Sequence, residues 1–119
     1  MMSINGTNFF PSAAEPAGSA SYRFSRAPSV WGWASWARAW QHHRLGIGDD
    51  EIRSLRRSDL PCDAPASLRG WRNRLRSCAG DAPHTRDYQW SYAHFRHRGL
   101  AIVPSRNLAE PRRSLSRVP

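Results

Sequence analysis

Asp87 opens the stretch "DYQWSYAHFR", whose spacing is helical. A carboxylate in the first turn of a helix is held ionised by the helix dipole and by backbone N–H groups that lack partners. It can cap the helix, or act as a general base that takes a proton from an attacking hydroxyl. A second chemical feature is "SVWGWASWARAWQHH" over residues 29–43, where Trp31, Trp33, Trp36 and Trp40 fall within ten positions. Indole combines a broad apolar face with one N–H. These four rings and Trp90 therefore suit stacking on the apolar C–H face of a sugar, and they also suit a stacked core, which spacing alone favours. Both readings stay open.

Other routes to chemistry find less support. His42 and His43 are adjacent, and His94 and His97 sit three apart among arginines, short of the three or four ligands a catalytic metal needs. No metal site is expected. Asp49, Asp50 and Glu51 form an acidic knot, but they open a polar helical pattern, where acidic residues are favoured anyway. There is no glycine-rich phosphate loop and no Gly-x-Ser-x-Gly elbow. Cys62 and Cys78 signal neither a zinc site nor a disulfide framework, and are read as reduced thiols of a cytoplasmic chain.

The elements that must position these residues can be read from periodicity and breakers. Tyr22 and Phe24 share one side of a short extended segment, Pro28 keeps Ala27 out of helical geometry, and Gly32 permits a tight bend between two tryptophans. Ser35 is placed to cap a helix over about residues 36–44, which "LGIGDD" ends. A short polar helix follows from Asp49, and another is weakly patterned through Leu68, Trp71 and Leu75, with Gly70 interrupting it. Thr85 is placed to cap the last helix, with Tyr88, Tyr92 and Phe95 on one face and Gly99 as a left-handed stop. "LAIV" at residues 100–103 then suits a strand buried on both faces. Helix, glycine turn and buried strand make half of a βαβ-type unit whose other strands are not visible. The expected class is α/β, with short helices, one or two buried strands and partly disordered ends. Residues 1–21 read as an N-terminal segment and flexible connector, 22–108 as the main region and 109–119 as a disordered tail.

At 119 residues the chain has room for one core. Its net charge of +9 comes from eighteen arginines and no lysine. Abundant Arg, Ala, Gly and Pro are what GC-rich coding produces, so the charge is a footprint that still needs a motif. A small basic module binding nucleic acid or anionic lipid is the alternative reading, and its affinity would fall steeply with salt. A third reading is an incompletely folded remnant with the strand at residues 100–103 left unpaired. The longest apolar runs are far short of the roughly 20 residues of a membrane span. No basic region precedes an apolar stretch at the N-terminus.

Four stretches carry a resemblance: "INGTNF" at 4–9, "YRFSRAPSVWGWASWARAWQHH" at 22–43, "RDYQWSYAHFRHRGLAIVP" at 86–104 and "RNL" at 106–108. In this order they resemble the acceptor-side, C-terminal part of bacterial glycosyltransferases of the GT-A type. These are family-two-like nucleotide-diphospho-sugar transferases, some labelled hemolytic-protein-like. The resemblance implies an incomplete GT-A, Rossmann-like fold and sugar transfer from a nucleotide-diphosphate sugar to a hydroxyl acceptor in surface polysaccharide synthesis. It implies that Asp87 is the catalytic base of an inverting transfer. It also implies that Gln89 and Trp90 line the acceptor or diphosphate side, with Trp31, Gly32, Trp33 and Trp36 shaping the pocket wall.

Family members use a nucleotide-diphosphate sugar and a divalent cation, magnesium or manganese. The expected partners are that donor and a glycan acceptor, with nucleic acid disfavoured. The expected location is cytoplasmic, with peripheral contact at the inner face of the membrane. The pattern also departs from the family. No Asp-x-Asp occurs, Arg86 replaces a tryptophan, Ala37 an arginine and His43 a tyrosine, and "AEPRRSLSRVP" follows Leu108. The expectation is a truncated chain, without the donor-binding half and any retained cofactor, inactive by itself. Within the tryptophan run, Trp40 reads as the most core-like, and Trp31 and Trp33 as pocket residues.

Overall fold

The strand expected after Gly99 forms as β4, Ala101–Pro104, and it occupies the interior of a four-stranded sheet. β4 pairs in parallel with β1 (Ser3–Asn5) and antiparallel with β2 (Tyr22–Ser25), while β3 (Trp33–Ser35) lies antiparallel on the far side of β1. The order is β2-β4-β1-β3. The computed structural model describes residues 1–8, 21–61, 65–78 and 86–108. The connector, the Thr85 cap, Cys62 and the C-terminal tail lie outside the described residues. The chain is therefore mixed α/β, and the reading that left β4 unpaired is corrected by its two ladders. Residues 1–8, set apart from the main region in the sequence, contribute β1 to the same sheet.

The two faces of the sheet differ. Register puts Ser3, Ala101 and Ser35 in one row and Asn5 beside Trp33, and on this face Ser3, Asn5, Ala101 and Val103 are buried. On the other face Phe24, Ile102, Ile4 and Ala34 form a cross-strand row, with Phe24 56% exposed. Burial of β4 on both faces is thus corrected: Ala101 and Val103 are enclosed, and Ile102 is only half-buried.

Against the inner face lies α4, Asp87–Arg96, in which every residue from Gln89 to Phe95 is buried. One side of it meets Met2, Ala39, Val30 and Trp33 through Trp90 and Ala93. The other side sends Tyr92 and Phe95 into a cluster with Ile47, Ile52, Leu55, Leu60 and Leu75, edged by Leu68, Trp71 and Tyr88. The spacings Tyr88–Tyr92–Phe95 and Leu68–Trp71–Leu75 therefore do face the core.

That second cluster is built by α2 (Asp49–Arg53), a 3-10 turn (Arg57–Asp59) and α3 (Pro65–Ser77). The acidic knot heads α2, and the Glu51 carboxylate accepts from the Gly48 N–H at 3.1 Å. Arg72 donates to the carbonyls of Arg53 and Leu55 at 2.7 and 2.8 Å, satisfying acceptors left over where α2 ends. α3 runs through Gly70, because one glycine weakens a helix by only about 1 kcal/mol and the packed face of Leu68, Trp71 and Leu75 outweighs that.

Two helix termini differ from expectation. The helix expected over residues 36–44 is a single turn, α1, Ala37–Trp40, with extended Trp36 as its N-cap. Ser35 cannot cap it, because Ser35 is held in β3 and its hydroxyl donates to the Met2 carbonyl at 2.7 Å. At the end of α4 the left-handed residue is Arg98, with φ 49°, rather than Gly99. The Gly99 N–H reaches the His94 carbonyl at 2.8 Å and the Arg98 N–H reaches that of Phe95 at 3.4 Å, which makes a Schellman closure. Gly32, with φ 58°, supplies the bend expected of it.

Candidate functional site

The tryptophan run and the head of α4 meet in one aromatic cluster. β3 sets Trp33 on the inner face of the sheet, α1 carries Trp40, and both pack on Trp90 of α4. Trp33 stacks on Trp90 with ring centroids 5.3 Å apart, and Trp40 tilts against it at 5.2 Å. His43 stacks on Trp40 at 4.2 Å and His94 meets Trp90 edge-on at 4.8 Å. Trp90 is fully buried, and each such pair adds about 0.5–1.5 kcal/mol beyond area burial.

The run thereby divides. Trp33 is half-buried and Trp40 is 39% exposed, so Trp33 is the more enclosed of the two, the reverse of the order expected alongside the resemblance. Trp31 is 67% exposed, and Trp36 packs under the Arg38 guanidinium at 5.0 Å. Neither ring joins the stack on Trp90.

Asp87 is the first residue of α4, half-buried, three positions from Trp90 and so on the same side of the helix. Its backbone carbonyl accepts from the Ser91 hydroxyl at 3.0 Å. Gln89 is buried, and neither its amide oxygen nor its amide nitrogen has a hydrogen-bond partner. The Trp90 indole N–H and His43 Nε2 are also buried without partners. Unpaired buried polar atoms cost about 1–3 kcal/mol each, so four of them in and around one motif call for an explanation.

The loops that carry these residues are bound to one another. The Gly6 N–H donates to the Gly32 carbonyl at 2.6 Å, and the Thr7 hydroxyl to that of Trp31 at 3.1 Å. The Leu108 N–H donates to the Gly6 carbonyl at 2.8 Å, and the Asn8 N–H to Asn107 Oδ1 at 2.6 Å. With the Asn5 amide turned so that nitrogen faces carbonyl, it pairs with both the carbonyl and the N–H of Ser29, each at 3.1 Å. The stretches at 4–8, 29–33 and 106–108 thus close on one another, while Trp33 joins this assembly to Trp90.

Two histidines that the sequence offered only as too few metal ligands pack into the site, His43 on Trp40 and His94 on Trp90. His94 Nδ1 lies 3.1 Å from the Trp90 carbonyl, which can only accept, so the proton sits on Nδ1. Nε2 then accepts from the Ser3 hydroxyl at 3.0 Å, tying α4 to β1. Burial holds His94 below the ordinary imidazole value, in keeping with this neutral form. Burial likewise lowers His43, and the Arg86 charge adds to that while the Arg86 backbone opposes it. The sequence shows these histidines, but their partners lie 91 residues away or across a loop.

Among the described residues no group of three or more His, Cys, Asp or Glu side chains could hold a metal ion, and no helix is long and apolar enough to cross a membrane. No protein-family model, no curated protein and no solved structure matches this chain.

Proposed function

We propose that the chain supplies the acceptor side of a sugar-transfer site, as the acceptor-side part of a GT-A-type glycosyltransferase acting in surface polysaccharide synthesis. The observation that supports this is the closure of the separated motif stretches onto one another. Residues 4–8, the Trp31–Trp33 bend, the head of α4 and Asn107–Leu108 form one hydrogen-bonded and stacked assembly. In this reading exposed Trp31 and half-buried Trp36 offer ring faces to a glycan, while Gln89 and Trp90, both buried, would back that wall rather than touch the sugar.

Asp87 is then the base of an inverting transfer. Its carboxylate takes the proton of the acceptor hydroxyl, and that oxygen bonds to the anomeric carbon. The bond from that carbon to the phosphate oxygen breaks on the opposite side, and the nucleotide diphosphate leaves with the electron pair. Stabilising the leaving group is the task of a divalent cation, magnesium or manganese, bound with the nucleotide sugar. The reading assigns donor and cation to a donor-binding half other than these residues, so turnover by this chain alone is expected to be negligible.

Indole N–H signals of the purified chain, titrated with a panel of monosaccharides and oligosaccharides, test the acceptor wall. Saturable shifts at Trp31 or Trp36 are expected, and a panel that moves no indole signal would overturn the reading. Release of nucleotide diphosphate from a panel of nucleotide sugars tests the rest. Robust turnover without any added component would refute the need for a donor-binding half. If Asp87→Asn then left that turnover within threefold, Asp87 would not be the base, whose removal costs about 10²–10⁴-fold.

A further inference from the structure

At the far end of α4 from Asp87, roughly 13 Å along the helix axis, lies a cleft that the tryptophan run reaches with Gln41 and His42 but that none of its tryptophans lines. It is an open cleft of about 330 Å³ between the segment after α1, the acidic helix α2 and the last turn of α4. Its working groups are His42, Arg44, Glu51, Tyr92, Arg96 and His97. The His42 and His97 rings stack with centroids 3.9 Å apart. Arg44 is paired with Glu51, whose other carboxylate oxygen is engaged by the Gly48 N–H. Arg96 has no ion pair among the described residues.

We infer that this cleft binds a phosphate group, as a phosphomonoester or diphosphate, between Arg96, Arg44 and the His42–His97 pair. Two guanidinium groups against one carboxylate leave positive charge in excess before either imidazole is protonated. A guanidinium fork matches the oxygens of a phosphate, and the tetrahedral group has enough acceptors for two forks and two imidazole N–H donors. A cation is the wrong occupant. Both arginines would repel it, and among the described residues no group of three or more His, Cys, Asp or Glu side chains could hold a metal ion. His97 is held below the ordinary imidazole value by burial first, then by His42, Arg96 and Arg44, the electrostatic surroundings an anion would relieve. The volume is at the lower end of the range for small-molecule sites. Asp87 takes no part, so the inference stands independently of the proposed transfer reaction.

Imidazole NMR signals of the full chain, titrated with methyl phosphate and with pyrophosphate, provide the test. Saturable shifts at His42 and His97 are expected, with the His97 titration moved to higher pH. Arg96→Ala should weaken binding about tenfold or more, the loss of one charge-assisted contact. Glu51→Gln should tighten it about two- to fivefold, because Arg44 is released from competition. Arg57→Ala, an exposed arginine in the 3-10 turn, should leave it within about twofold. Vesicles containing phosphatidic acid separate the sources: binding to them but to neither soluble ligand identifies a lipid headgroup, and soluble binding identifies a free phosphate compound. No response at His42 or His97 to any of the three probes would overturn the inference. So would equal losses in the Arg96 and Arg57 variants.

Discussion

A Cβ at Gly99 would fall 2.9 Å from Met2 Cγ and 3.1 Å from His94 Cδ2, while the left-handed backbone belongs to its neighbour Arg98. The two residues therefore fail differently. Gly99→Ala must push Met2 or a His94 ring that two hydrogen bonds fix, and should destabilise the chain by about 1–2 kcal/mol in urea denaturation. Arg98→Gly removes a strained conformation from an exposed position and should stabilise it by about 0.5–1 kcal/mol. The same contrast holds among the tryptophans. Trp90→Ala should cost about 3–5 kcal/mol and Trp31→Ala less than about 0.5, since one ring is enclosed by other rings and the other is 67% exposed. At this scale the sequence carried the residue types and even the glycine at the right turn. It could not say which of two adjacent residues takes the positive φ, nor that Met2 and His94 would leave no room for a Cβ at the other.

α4 is the element on which the molecule depends. It serves both core clusters, carries Asp87 at one end and Arg96 at the other, and is fastened to β1 by His94 and Ser3. Ser3→Ala leaves His94 Nε2 buried without a partner and should cost about 1–3 kcal/mol. The histidines also make α4 sensitive to acid. His43, His94 and His97 are all lowered from the ordinary 6.5, chiefly by burial, so the unfolded chain binds more protons than the native one just below that value. Their contribution is complete above about pH 6.5 and is lost as pH falls through the lowered values, so the urea midpoint should fall between pH 7.5 and 5. A midpoint that is level or rises over that range would contradict the buried neutral His94. The pattern Tyr88–Tyr92–Phe95 made this helix legible in the sequence. Its second buried side was not, since Gln89, Ser91 and His94 read as a polar face and are enclosed only because the sheet lies against them.

Because α4 belongs to both clusters, the described parts should unfold together. Circular dichroism at 222 nm and tryptophan fluorescence should give coincident urea transitions, and separated midpoints would mean that the sheet layer and the layer of α2 and α3 are independent. The whole molecule also leaves Phe24, Ile4 and half-buried Ile102 in a row on the outer face of the sheet, next to Tyr22, which is 49% exposed. Phe24→Ser should therefore change stability by less than about 0.5 kcal/mol while reducing the binding of an apolar dye.

By itself the sequence determined the local matters: the helix faces, the acidic head of α2, the bend at Gly32 and the strand after α4. All of these are set by neighbours within about one or two turns, where periodicity and turn chemistry act. It also supplied the motif stretches whose resemblance suggested sugar transfer. The tertiary structure alone decided which strands flank β4, since β1 and β3 are three residues each and too short to show a period. It decided that Trp33 and Trp40 pack on Trp90 while Trp31 stays exposed, and that His42 meets His97 across 55 positions. Such contacts join residues far apart in the chain, and only the packing of α4 between sheet and helices brings them into reach.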